Sequence, residues 1–367
     1  MNIPNIADYQ EKQKRLRTYM AENGYEYAVI TRRDNFAWFT CGGDNKVLRN
    51  SEEGVGTLVV SQKDVTLVAK YMDSDRIWDD ELQGLPIGRK TIYWYEGNSP
   101  DYAMKLTSGR VVSDTELPGA ENRWYDILGL HYPLTENEAA KYREVGALCD
   151  KLLTEVAQRI RPGMTEHEIE AEVLYAYGKH NMTPKVLLIA TDERIEKYRH
   201  PGVSPKKLER LALIHPAAEK GNLHANITRM VYFGDTLPRE LEEKYDLLND
   251  LQAQYFSMAK TGARFGELYE ARKKILAERG YPDEWRYHAM GCVTGYTLGT
   301  DAPLVNNEVI RRNVPLDMFI TLRGAKVEEL ALTGDNGAEL LSAAGHWPTK
   351  VYEYGGRKYQ LPVVMMR

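Results

Sequence analysis

The chain has 367 residues, and 48 Lys and Arg stand against 53 Asp and Glu for a formal net charge of −5. That length makes two or three domains of about 100–200 residues each, with ample core. A mildly acidic chain without a basic tail is a poor nucleic-acid ligand, and no stretch approaches the ~18 apolar residues that cross a bilayer. Cys41, Cys149 and Cys292 are odd in number and far apart, so neither a disulfide framework nor a paired-cysteine zinc site is expected. The first residues carry no apolar secretory segment, so the expected location is a reduced cytoplasm.

Residues 7–23 carry a helical apolar period that ends at Gly24. Short runs rich in β-branched and aromatic residues follow at 27–31, 56–61, 64–70, 91–96 and 109–114, with helical stretches near 72–82 and 100–107. This predicts a small sheet flanked by helices. Thr135 with Glu138 three residues on reads as a capping box opening a long helix, and the boundary between domains falls near Pro133. The domains expected are 1–132 and 133–367.

The second domain repeats itself. The phrase from Arg161, RPGMTEHEIEAEVLYAYGKHNM, matches the phrase from Lys260, KTGARFGELYEARKKILAERGY, without a gap. Gly163 falls on Gly262 and Glu168 on Glu267. Each unit is a glycine turn and an amphipathic helix, followed by a β pair that turns at a glycine. Two such units predict a pseudo-twofold α+β domain with sheet inside, helices outside and a ligand pocket between the halves.

Of eight histidines, His167 and His180 are expected on a helix surface and His131 is expected exposed. His200, His215, His224 and His288 gather with Glu328 in or beside the inner strands. Burying several titratable groups in one sheet is costly unless they serve a site.

The repeat resembles the pita-bread family of creatinase, prolidase, aminopeptidase P and methionine aminopeptidase. The phrases YRHPGVSP, HANITRMVYFG, YHAMGCVTGY and GAKVEELALT carry the resemblance, together with ITRRDNFAWFTCGGDN in the first domain. It implies a pita-bread domain behind a smaller α/β creatinase/prolidase N-terminal domain. The family's peptidases hold two metal ions with two aspartates, a histidine and two glutamates. Transferred to this chain, those positions read His215, Asn226, Cys292, a residue within Phe319–Thr321, and Glu328. One carboxylate of four is left, too little to offset a hard divalent pair. The expectation is therefore no cofactor, with one zinc at His215, Cys292 and Glu328 as the alternative.

His200 and His288 match non-ligand histidines of the family. The resemblance to creatinase implies a metal-independent hydrolase of a C–N bond in a small amino-acid-like or dipeptide-like substrate. His200 is then the general acid/base, His288 its relay and Glu328 its orienter. Arg323 could clamp a substrate carboxylate and Trp38 could face the substrate; Arg229 is expected to be structural. The alternatives are an Xaa-Pro metallopeptidase with unusual ligands and a catalytically silent binding module. A homodimer is expected, with Phe36, Trp38 and Phe39 as a pocket rim or interface, or as plain core.

Overall fold

In the computed structural model, which describes residues 4–367, the chain forms two units, Met1–Tyr132 and Pro133–Arg367. In the first, α1 (Ile6–Asn23) starts where Asn5 Oδ1 accepts the N–H groups of Ala7 and Asp8. It stops at Gly24, whose φ of 70° suits a residue without a Cβ. Six strands follow: β1 (Tyr27–Arg32), β2 (Glu53–Ser61), β3 (Val65–Lys70), β4 (Gly88–Ile92), β5 (Val111–Ser113) and β6 (Glu121–Asn122). They form one mixed sheet in the order β4-β3-β2-β1-β5-β6. Helices α2 (Arg33–Phe39), α3 (Tyr71–Arg76), α4 (Ser99–Met104) and α5 (Trp124–Gly129) connect them. Val29, Val59, Val68, Ile92, Ala103 and Val111 make a core under the sheet.

Two local features differ from the sequence expectation. The stretch 91–96 is strand only to Ile92. Glu96 then caps a turn by accepting the Tyr93 N–H at 2.6 Å. His131 is not exposed: it is 3% accessible, stacks on Trp38 at 4.9 Å and bonds Asn35 at 2.8 Å.

The second unit opens with α6 (Glu136–Arg159), where Thr135 and Glu138 close the capping box. Helix α7 (Glu166–Gly178) leads into β7 (Thr183–Thr191), and the short α8 (Glu193–Lys197) precedes β8 (Leu211–Lys220), β9 (Leu223–Asn226) and β10 (Arg229–Tyr232). The second half supplies α9 (Arg239–Met258), α10 (Phe265–Glu278), β11 (Cys292–Val293), α11 (Ala302–Val305), β12 (Pro315–Leu322), β13 (Ala325–Leu332) and β14 (Glu339–Leu340). A hairpin, β15 (Thr349–Tyr354) with β16 (Arg357–Pro362), and β17 (Met365–Met366) end the chain. One sheet runs β17-β10-β8-β7 with β9 paired to β8, and another runs β11-β12-β13-β14.

The repeat is visible atom by atom. Gly163 and Gly262 have φ of 91° and 88°. Gly163 N–H reaches Leu208 O at 2.8 Å, and Gly262 N–H reaches Ile310 O at 2.9 Å. The two sheets meet where Thr228 forms a backbone bridge to Glu328, so the seam between the halves carries the residues of interest.

Helix α6 lies close against the segment that follows β14. A Cβ on Gly146 would stand 2.7 Å from Leu341 O and 2.8 Å from Leu341 Cβ. Helix propensity favours Ala over Gly by about 1 kcal/mol, whereas overpacking costs about 1–3 kcal/mol. The clash is against backbone and wins. Gly146→Ala is expected to lower the thermal midpoint; a midpoint equal to or above wild type would refute this packing.

Candidate active site

The site is built on the paired strands β12 and β13. Their register places Phe319 opposite Glu328 and Thr321 opposite Lys326. Side chains alternate along a strand, so Asp317, Phe319 and Thr321 share one face with Lys326 and Glu328. Glu328 is 2% exposed and is the hub. Its Oε2 accepts from Thr228 Oγ1 at 2.7 Å and stands 2.6 Å from His215 Nδ1 and 2.8 Å from Lys326 Nζ. Burial alone would raise this carboxyl, but His215 and the Lys326 ammonium hold it well below the usual carboxylate range. Burial pushes His215 toward the neutral imidazole, so the lasting countercharge of Glu328 is Lys326.

Asp317 lies beside this hub. Asn226 Nδ2 donates to its Oδ2 at 2.8 Å. Burial and the neighbouring Glu328 charge push the Asp317 carboxyl well above its ordinary value, in the direction of the neutral acid. Asn226 Oδ1 and Asp317 Oδ1 are both buried without a hydrogen-bond partner among the described residues. Cys292 lies opposite Asp317 in the register, its sulfur 3.9 Å from Oδ2. Burial raises its thiol far above the ordinary range, so it is no ready thiolate.

His200 and His288 form a pair at the other end of this face. Their Nε2 atoms are 3.2 Å apart and the rings meet edge to face. His288 Nδ1 lies 3.3 Å from Thr321 Oγ1, and its ring packs on Phe319 at 4.7 Å. His200 is exposed while His288 is half-buried. The loops that carry them are tied together by Arg199, which donates to Thr321 O at 3.0 Å and pairs with Glu284. Glu166, fully buried, anchors the His200 loop from behind through Thr191, Arg194 and Ser204.

Burial, with Lys326 nearby, lowers both histidines, His288 to about 4. Both are neutral at pH 7, and one proton lies between the two Nε2 atoms whichever ring owns it. The acid limb of kcat/KM is accordingly expected below the ordinary 6.5 and above about 4. A profile with its acid limb at 6.5 or higher would contradict the pairing. The stability sign follows the same shift. Between about 4 and 6.5 the native state binds fewer protons at His288 than the unfolded chain, so stability falls as pH drops through that window.

The sequence brought His200, His288, His215, Asn226, Cys292 and Glu328 to this region. The other expectations lie elsewhere. His224 pairs with Glu219 at 3.7 Å and bonds Gly295 O, away from Glu328's partners. Arg323 is exposed at the β12–β13 turn, where its carbonyl accepts from Lys244 at 2.9 Å. Trp38 is 0% exposed, so its ring serves the first unit's interior rather than a substrate rim. Asp317, Lys326, Thr228 and Thr321 were not singled out from sequence. Strand alternation around Gly324 was the signal that could have found three of them.

Metallopeptidase family M24 matches residues 140–328, about half of the chain, and the chain belongs to that family. It is similar to the Xaa-Pro dipeptidase of Pyrococcus furiosus, with 24% identity over 91% of this chain and 98% of that protein. The prolidase of Pyrococcus horikoshii OT3 superposes with a TM-score of 0.74 at 20% identity over 90% of this chain and 98% of its own. The Xaa-Pro dipeptidase of Bacillus anthracis superposes with a TM-score of 0.73 at 16% identity, covering 98% of this chain and all of its own (100%). The fold is thus the pita-bread fold behind an N-terminal domain, and the chain is a hydrolase on a peptidase scaffold.

Membership of a metallopeptidase family overturns the expectation of a chain without a cofactor. The residues here do not make a ligand set for that metal. The cation on Glu328 is an ammonium, His215 turns Nδ1 to the same carboxylate oxygen, and Asn226 offers its NH₂ to Asp317. Among the described residues no three His, Cys, Asp or Glu side chains are grouped to hold a metal ion, which also removes zinc at His215, Cys292 and Glu328.

Proposed function

We propose that the chain is a peptidase of the Xaa-Pro dipeptidase kind, cleaving the bond before proline in short peptides. The similarity to the Pyrococcus furiosus dipeptidase, which spans both units and nearly all of that relative, carries the reading. It displaces the creatinase-like main expectation in favour of the Xaa-Pro alternative. In this reading a peptide binds over the exposed His200. His200 takes a proton from the attacking water and returns it to the leaving proline nitrogen, and His288 shares that proton through the Nε2 pair. Glu328 acts from beneath, fixing Thr228 and His215 and orienting the face on which the substrate lies.

The test is hydrolysis of matched dipeptides, Ala-Pro against Ala-Ala, by purified protein with divalent cation supplied. Cleavage favouring Ala-Pro supports the reading, and no cleavage of either defeats it.

No described helix is long and apolar enough to cross a membrane, and we place the protein in the cytoplasm. We also propose a homodimer. Phe36, Trp38 and Phe39 are fully buried and give it no local support, so it rests on the family resemblance. Light scattering at 41.9 kDa would remove it.

A further inference from the structure

We infer that Lys326 is a catalytic residue, its ammonium donating to the oxygen of the scissile carbonyl as negative charge develops there. This rests on the peptidase reading above.

Four observations support it. Lys326 is 3% exposed, and a lysine is kept in an interior only when its charge is used or matched. Glu328 takes one of its three N–H donors at 2.8 Å, which fixes the ammonium and leaves two donors for a ligand. Lys326 also stands opposite Thr321, whose hydroxyl meets His288. The Phe319 ring is shared: His288 packs on it at 4.7 Å and Lys326 Nζ lies 5.7 Å from its centroid. The proton carrier and the cation thus both border one aromatic ring.

The chemistry balances. The water oxygen bonds to the carbonyl carbon, its proton passes to the histidine pair, and the π electrons move to the carbonyl oxygen beside Lys326. The tetrahedral species then collapses. The C–N bond breaks as the nitrogen takes the proton from the histidine, giving a carboxylic acid and a neutral secondary amine. The remaining proton of the former water then passes from the acid to the amine, leaving a carboxylate and a protonated secondary amine. A fixed charge aimed at an oxygen that becomes anionic acts more strongly on the transition state than on the ground state.

The experiment compares wild type, Lys326→Met, Glu328→Gln and the double variant Lys326→Met/Glu328→Gln. The double variant leaves no buried carboxylate uncompensated. Compared with Glu328→Gln alone, because Glu328 itself orients the face, it keeps the test alive if Lys326→Met fails to fold. With Ala-Pro as substrate, removing the ammonium is expected to lower kcat about 10²–10³-fold with KM nearly unchanged, the usual cost of a lost oxyanion donor. Calorimetry supplies a readout free of turnover. A phosphinate dipeptide mimic, which carries a tetrahedral anionic centre, is expected to weaken by a similar factor, while its neutral ketone counterpart binds as before. Equal loss of both ligands makes Lys326 structural and overturns the assignment. A raised KM at unchanged kcat moves the ammonium to the substrate's C-terminal carboxylate and overturns it as well. Failure of wild type to cleave Ala-Pro defeats the peptidase reading instead, and the phosphinate comparison still decides Lys326: unchanged affinity, or no binding to wild type, ends the inference.

Discussion

His200→Ala is expected to lower kcat by about 10²–10⁴-fold while the circular dichroism and thermal midpoint stay close to wild type. The side chain is exposed, sits on a loop held by Arg199 and Glu166 rather than by its own ring, and gives up one contact to His288. Asn at the same position is expected to be nearly as poor, since an amide hydrogen-bonds without exchanging a proton near neutral pH. The loss of the acid limb in the variant's pH profile separates proton transfer from simple positioning. Wild-type turnover in His200→Ala would end the acid/base role and leave His288 as the remaining candidate.

Arg229→Met is expected to remove about 3–5 kcal/mol of stability, the cost of leaving buried charges without their partner. Arg229 is fully buried, donates to Glu329 Oε1 at 2.6 Å and to Ser342 O at 2.6 Å, and stands 3.3 Å from Asp150 Oδ1. Burial already pushes Glu329 up to about 7 even with Arg229 attached. Without the guanidinium the carboxyl rises further, and an acid with a raised native pKa loses stability as pH rises past its unfolded value. The variant should therefore suffer more at pH 8 than at pH 5.5, as read from denaturant midpoints. Equal loss at both would show that packing rather than charge sets the cost.

The repeat was legible because its signals are local: Gly163 and Gly262 need left-handed backbone, and α7 and α10 begin three residues after them. Helix α2 was not legible, since all seven of its residues are buried and a uniformly buried helix has no polar face to mark its period. The strand read at 91–96 overran because exposed Tyr93, Trp94 and Tyr95 carry the β preference of aromatics without any sheet to pair with. At the site, attention to family ligand positions hid Lys326 and Asp317. Neither occupies a position assigned there, yet hairpin register alone puts both on the face of Glu328. No residue spacing announces the His200–His288 contact, because loops from the two halves meet only once both sheets have formed.

That meeting has a consequence for cutting the chain. One half contributes His200 and Thr228, and the other contributes His288 and Glu328. The peptide link holds the partners at a high effective concentration, and severing it would turn their pairing into a bimolecular encounter governed by real concentration. Halves expressed as separate fragments, for example split near Lys260, would each carry one histidine of the His200–His288 pair and part of the hub. Activity recovered on mixing them would report reassembly of the seam itself.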